Sequence, residues 1–295
     1  MHSYFYNNIC INYLFYFKTN MGLNDQFDIT KENNPWWHER INYLTDIHKE
    51  DIRQNVVVAV IDTGTDNDDF PYTNIIQGYN AIDGSNNTGD KHGHGKVISH
   101  LIASPKLGVN PYATILPVKV RKTMIDNPKV VSKGIKWSVD YEADIINLSL
   151  GREPTKDSNH QEYRKGVEYA LKKKKVLIAL SGTNGKKVFY PAAIEGVISV
   201  GGLDKEYNYN SKIDVEDIDI FSVDTKKSVS SSFPTAMVSG AVSLIMSLDE
   251  SISSQEAMNI ILDSADIIKV NGKNAKLLNI DKAIEIIYKS RILKE

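Results

Sequence analysis

VVVAVIDTG, residues 56–64, decides the fold. An unbroken apolar run of mostly β-branched residues, 56–61, ends on Asp62 and a Thr63-Gly64 turn. Such a run reads as a strand buried on both faces, as in a parallel sheet covered by helices. Runs of similar character follow at ATILPVKV (113–120), DIINLSL (144–150), KVLIALS (175–181) and GVISVGG (196–202). Between and after them lie segments with apolar residues at helical spacing: VISHLIA (97–103), 132–143, 160–174 and the nearly all-apolar PTAMVSGAVSLIMSL (234–248). SSQEAMNIILDSAD (253–266) opens with Ser253 and Glu256 at capping-box spacing. Strands alternating with helices predict βαβ units, hence an α/β fold with a mostly parallel central sheet and helices on both faces.

The 295 residues suffice for one large α/β domain, and 41% hydrophobic with 24% charged residues is ordinary for a globular chain. A net charge of −2 argues against nucleic acid or an anionic membrane as partner, and the basic run at 172–175 reads as a solvated helix end. The single cysteine, Cys10, rules out an intrachain disulfide, so the fold does not depend on an oxidising compartment. Residues 1–20 are aromatic-rich but broken by Asn7, Asn8 and Asn12, with no basic residue before the apolar run and no small-residue cleavage site. No stretch has membrane-spanning length. The expected organisation is an N-terminal extension over 1–29, with Met21 an alternative start, and one large domain over 30–290. Within the latter, Pro35 begins an amphipathic piece with Trp36, Trp37, Ile41 and Leu44 on one side.

Three residues stand at element edges in the order acid, histidine, serine. Asp62 ends the first strand, and the carboxyl ends of parallel strands are where sites assemble; alone, it would more simply cap a turn. His94 lies between Gly93 and Gly95 ahead of an apolar helix, where an imidazole can act as a base. His92 and His100 compete with it, and no further ligand follows at zinc spacing, so no metal is expected. Ser232 precedes a helix, whose N-terminal N–H groups and dipole favour an oxyanion. Plain capping would also explain a serine there, and Ser230 and Ser231 are rivals. Together the three supply a nucleophile, a base and a carboxylate to orient that base.

Over roughly residues 50–285 the chain resembles the subtilisin-like serine proteases, or subtilases. VAVIDTG matches V-x-V-x-D-T/S-G, and Gly93, His94, Gly95, Ile102 and Ala103 match G-H-G-x6-I-A. GVNPYATILPVKV (108–120), GIKWSVDYEADIINLSLG (134–151), VLIALSGTNG (176–185), YPAAIEGVISVGG (190–202), VSGAVSLI (238–245) and LLNIDKA (277–283) follow in the family's order. The resemblance implies a subtilisin-like three-layer fold, an Asp62–His94–Ser232 triad and an acyl-enzyme mechanism without a cofactor. It also implies that an extended substrate lies along Ser149, Leu150 and Gly151, with Gly182 on another wall of the pocket.

The departures from the pattern are informative. The family's G-T-S-M-A-x-P reads Ser230-Ser231-Ser232-Phe233-Pro234-Thr235-Ala236, so the register of the helix behind selects Ser232. The oxyanion asparagine falls on Thr183 without a gap, or on Asn184 with a one-residue shift. Phe189 stands where many relatives have glycine, which implies a shallow pocket for small or slim side chains. The loop that binds calcium in many secreted relatives is cut to Ser104–Leu107, and Asp66, Asp68 and Asp69 read as solvated turns. About 60 residues precede Asp62, and the resemblance assigns roughly half of them to the domain itself, so no folding propeptide is expected. These features resemble the cytoplasmic leader peptidases of lantibiotic biosynthesis, and imply a monomeric enzyme acting on a peptide or protein, such as a modified precursor peptide. Two alternatives stand: a general intracellular degradative protease, and a weakly active subtilase fold that binds peptides. A secreted enzyme follows if residues 1–20 act as a signal.

Overall fold

The first strand expected from sequence, β1 (Val57–Asp62), lies inside a sheet, with a parallel neighbour on each side. The computed structural model describes residues 36–43, 45, 47–65, 74–105, 107–154, 160–183, 185–224 and 230–292. The extension 1–29, Leu44, Asn184 and the acidic cluster at Asp66, Asp68 and Asp69 lie outside them. A short helix, α1 (Trp36–Arg40), precedes β1, and Trp37 and Ile41 are fully buried. Then come β2 (Asn74–Ile75), β3 (Tyr79–Asn80), α2 (His94–Ala103), β4 (Thr114–Lys119), α3 (Pro128–Asp140), β5 (Ile145–Leu148), α4 (His160–Lys172), β6 (Val176–Leu180), β7 (Ile198–Leu203) and β8 (Ile220–Val223). The chain continues with α5 (Ser232–Leu248), α6 (Ser254–Ser264), β9 (Asp266–Val270), β10 (Lys273–Leu277) and α7 (Ile280–Ile292).

Among the described residues the strands form one sheet in the order β2-β4-β1-β5-β6-β7-β8-β10-β9, with β3 also paired to β4. Every pairing is parallel except β9–β10. The chain first builds outward from β1 on one side, to β4, and then on the other, to β5, so β1 sits at a switch point where ligands bind in such sheets.

Alternation along β1 sends Ala59 and Ile61 into one core with Val131, Ile135, Tyr163 and Val167 of α3 and α4. The opposite face is covered by α2 and α5. All of α5 is buried, as its near-continuous apolar run requires. Its serines remain tolerable there because their hydroxyls find partners. Ser239 Oγ bonds Thr235 O and Asn147 Oδ1, each at 2.9 Å, and Asn110 reaches Ser243 and Ser247. The capping box expected at Ser253 and Glu256 is present, with Ser253 N donating to Glu256 Oε2 at 2.8 Å.

The expected strands and helices are all found, with shifted ends. Two shifts touch the site. The helix expected from residue 97 already starts at His94, and Ser232 is itself the first residue of its helix rather than the residue before it. No helix among the described residues is long and apolar enough to cross a membrane.

Candidate active site

Parallel strands gather their carboxyl ends on one edge of the sheet. That edge brings together Asp62 at the end of β1, Arg121 two residues beyond β4, Ser149 just after β5 and Ser181-Gly182 just after β6. Asp62 has no solvent exposure. Its carboxylate accepts from His94 Nδ1 at 2.9 and 3.0 Å and from the Thr63 N–H at 2.7 Å. This network assigns the proton to Nδ1 and leaves Nε2 free to accept one, the tautomer a general base requires. Burial alone would raise the Asp62 carboxyl. The Arg121 guanidinium, His94 and the Thr63 N–H outweigh it and hold the group well below the usual carboxylate range.

His94 is aimed by a loop network that sequence motifs did not reveal. Asp90, buried, accepts from the N–H groups of His92, Gly93 and Lys96 at 3.0, 2.9 and 3.1 Å. Its Oδ2 also accepts from Thr63 Oγ1 at 2.9 Å, and that oxygen in turn accepts from the Gly95 N–H at 2.9 Å. The turn after Asp62 and the start of α2 are thereby stitched together. Gly95 permits the contact: a Cβ there would lie 2.2 Å from Gly64 O. Lys119 Nζ donates to Thr63 O at 2.8 Å and holds the same turn from β4. Of the rival histidines, His92 is exposed and His100 is inside the core, where burial pushes its imidazole well below the ordinary range.

Ser232 opens α5 with its side chain near the Ser149 carbonyl, 3.5 Å from Oγ to O. Ser149 Oγ donates to Ser232 O at 2.9 Å, which ties the helix start to the end of β5. No hydrogen bond joins Ser232 to His94 among the described residues; such contacts often form only when substrate is bound. Ser231, at the N-cap, turns away from capping and donates to Gly182 O at 2.6 Å. The Ser232 N–H makes only a long contact, 3.4 Å, to Ser230 Oγ. An uncapped helix start carrying a serine suits a developing oxyanion. Thr183 is half-buried and its hydroxyl makes no hydrogen bond among the described residues.

The remaining expected residues converge beside this point. Leu150 and Ser149 are buried, and Gly151 and Gly182 approach Phe189 from two sides. A Cβ on Gly151 would lie 3.4 Å from Phe189 Cβ, and one on Gly182, whose φ is +119°, would meet the ring at 2.6–2.9 Å. Arg152 and Tyr190 exchange backbone hydrogen bonds at 2.9 Å and lock the two walls together. The Phe189 ring therefore lies against Gly182, with its Cβ toward Gly151. Among the described residues no cluster of three or more His, Cys, Asp or Glu side chains is arranged to hold a metal ion.

The carboxylate–imidazole couple and the helix-borne serine stand at the switch point of a parallel sheet, and these are the groups that a hydrolase-type site combines. A model of the subtilase family, peptidase S8, matches residues 53–214. The chain belongs to the subtilase family. It is 31% identical to the major intracellular serine protease of Bacillus subtilis (strain 168), over 67% of this chain and 70% of that protein. It is 29% identical to a thermophilic serine proteinase of Bacillus sp. (strain AK1), over 84% of this chain and 65% of that one, so it spans just under two thirds of that relative's length. Among solved structures the fold is similar to a cold adapted subtilisin-like serine proteinase, with a TM-score of 0.73, 19% identity and coverage of 84% of this chain and 98% of that one. It is also similar to the nisin leader peptidase NisP from Lactococcus lactis, with a TM-score of 0.66, 19% identity and coverage of 85% and 93%.

Proposed function

We propose that this chain is a serine endopeptidase that cleaves peptide bonds through an acyl-enzyme, with Asp62, His94 and Ser232 as its triad. The observation that carries this reading is the His94–Asp62 couple, 2.9 Å across, at the sheet edge where Ser232 begins α5. In the first half-reaction His94 Nε2 takes the Ser232 proton as Oγ attacks the scissile carbonyl, then gives it to the departing amine. In the second, His94 takes a proton from water, whose oxygen displaces Ser232 from the acyl group, and returns it to Oγ. Asp62 stabilises the imidazolium in both. The Ser232 N–H and a donor from Thr183 or Asn184 receive the oxyanion, and loss of one such donor costs about 10²–10³ in turnover. Substrate lies extended along Ser149–Gly151, adding its main chain to that edge.

The substrate we favour is a leader-bearing precursor peptide of the lantibiotic type, cut inside the cell. The Phe189 ring against Gly182 and Gly185 supports a restricted preference, and the likeness in fold to a nisin leader peptidase is in keeping with it. The identity to a major intracellular serine protease favours a second reading, broad degradation of cellular proteins. Incubating the protein with a leader-bearing precursor and, separately, with casein distinguishes them. One discrete cut in the precursor with intact casein supports the first, and many casein fragments support the second. Peptide binding without turnover of either points to a peptide-binding subtilase fold.

A further inference from the structure

The carboxylate of Asp62 is shared. Arg121, whose side chain is only 2% exposed, places Nη2 3.1 Å from each Asp62 oxygen, 3.3 Å from His94 Nδ1 and 3.2 Å from Ser149 O. One nitrogen thus touches the acid, stands against the base and binds the carbonyl that Ser232 Oγ also approaches. The sheet delivers it there: Asp62 pairs in register with Lys119, Val120 N donates to Asp62 O at 2.9 Å, and Arg121 follows.

Stability alone gives a weak reason for this arginine. Burying a guanidinium is costly, its Nε has no hydrogen-bond partner among the described residues, and an apolar side chain of similar volume is often as good or better in such a place. Its effect on the couple is clearer. A lone carboxylate beside an imidazole favours the imidazolium. With a fixed cation already bound to that carboxylate, a proton arriving on His94 meets a positive charge at 3.3 Å from the ring nitrogen.

We propose that Arg121 is a positioning residue of the Asp62–His94 couple, fixing both carboxylate oxygens and setting its charge against a proton arriving on His94. The proposal rests on the reading of Asp62, His94 and Ser232 as the triad. Other charged groups face the same couple. Asp90 and Lys96 adjoin the His94 loop, Lys119 holds Thr63 from β4, and His92 lies 6.4 Å from His94 ring to ring. Beside Arg121, Asp126 is bound by Tyr163 of α4 and faces Arg152 at 3.6 Å. None of these groups is changed in the test, so their contributions cancel between variants.

The readout is the second-order rate at which a fluorophosphonate probe modifies the protein, followed from acid to alkaline pH. It needs no natural substrate and depends on the base directly. In Arg121→Met and Arg121→Gln the acid limb is expected to move up by about one pH unit, while Arg121→Lys, which keeps the charge, leaves the limb in place and lowers the plateau rate several-fold by losing the Nη2 contacts to Asp62 and Ser149 O. An acid limb unmoved in the Met and Gln variants, whatever their plateau, overturns the proposal. If neither uncharged variant folds, the Lys variant decides: a wild-type limb with a reduced plateau supports it, and a fully wild-type profile or an upward-shifted limb overturns it. A wild type that the probe does not label removes the triad reading, and this proposal with it; labelling with an unmoved limb removes only the role of Arg121.

Discussion

The ring of Phe189 stands where a side chain on Gly182 would go, its Cδ1 only 2.6 Å from the site of a Cβ there. The ring similarly excludes a side chain on Gly185, whose Cβ would lie 2.4 Å from Phe189 Cε1. The two glycines create a slot, and the phenylalanine occupies it. Removing the ring should reopen the slot. Phe189→Gly is expected to shift the preference before the scissile bond from small to bulky apolar residues in a peptide-library digest, by about 10–200-fold in relative kcat/KM. An unchanged preference would show that Phe189 does not shape the pocket.

Gly95 is the second close contact with a consequence. A methyl group there would lie 2.2 Å from Gly64 O and 3.1 Å from Gly64 N, both backbone atoms that cannot swing aside. Gly95→Ala should push the start of α2 away from the Asp62 turn. A displacement of His94 near 1 Å is expected to lower kcat/KM by about 10²-fold, with a loss of about 1–3 kcal/mol in stability. Steady-state kinetics beside a urea melt checks both, and full activity in the variant would contradict the stitching role given to this turn.

His38, buried beside Tyr43, gives a pH-dependent term in stability. Burial lowers its imidazole from 6.5 to about 4, against a smaller opposing effect of a hydrogen bond to the Leu107 backbone. The unfolded chain therefore takes up a proton near pH 6.5 while the folded protein resists until about pH 4. Stability from this group is complete above the first value and lost as the pH falls toward the second, by up to about 3 kcal/mol. Urea melts of wild type and His38→Phe near neutral pH and at about pH 5 should show a smaller acid loss in the variant. Equal losses would rule His38 out as the source. Comparing the two proteins removes the separate contribution of buried His100.

The fold was legible wherever a buried run declared itself. β1, β4 and β6 carry continuous apolar stretches, β5 and β7 apolar runs broken only by Asn147 and Ser199, and α5 an apolar run too long for a strand. The hairpin of β9 and β10 went unread because its residues, DIIKV and KNAKL, are mostly half-exposed or exposed and partly charged, and only Val270, Ala275 and Leu277 are buried, too few to set a period. Its turn did leave a signal: Asn271 and Gly272 both have positive φ, 49° and 81°, the pair that two-residue hairpins favour. Within the site, Asp62 and His94 were readable because glycines and strand ends mark them. Asp90 and Arg121 were not, since a loop aspartate and a cation after a strand are common and only the folded sheet edge brings them to the couple. Ser232 is selected over Ser230 and Ser231 by helix register, and the three differ in contact: Ser230 Oγ stands 3.4 Å from the Ser232 N–H, Ser231 binds Gly182 O, and Ser232 faces the Ser149 carbonyl.

The most direct test of the account is to locate the nucleophile. The intact protein is treated with a fluorophosphonate probe, digested, and the modified residue identified by mass spectrometry, with Ser232→Ala and His94→Ala treated alongside. One adduct on Ser232, absent from both variants, is the predicted result. An adduct on Ser230 or Ser231, or an unmodified wild type, would contradict it.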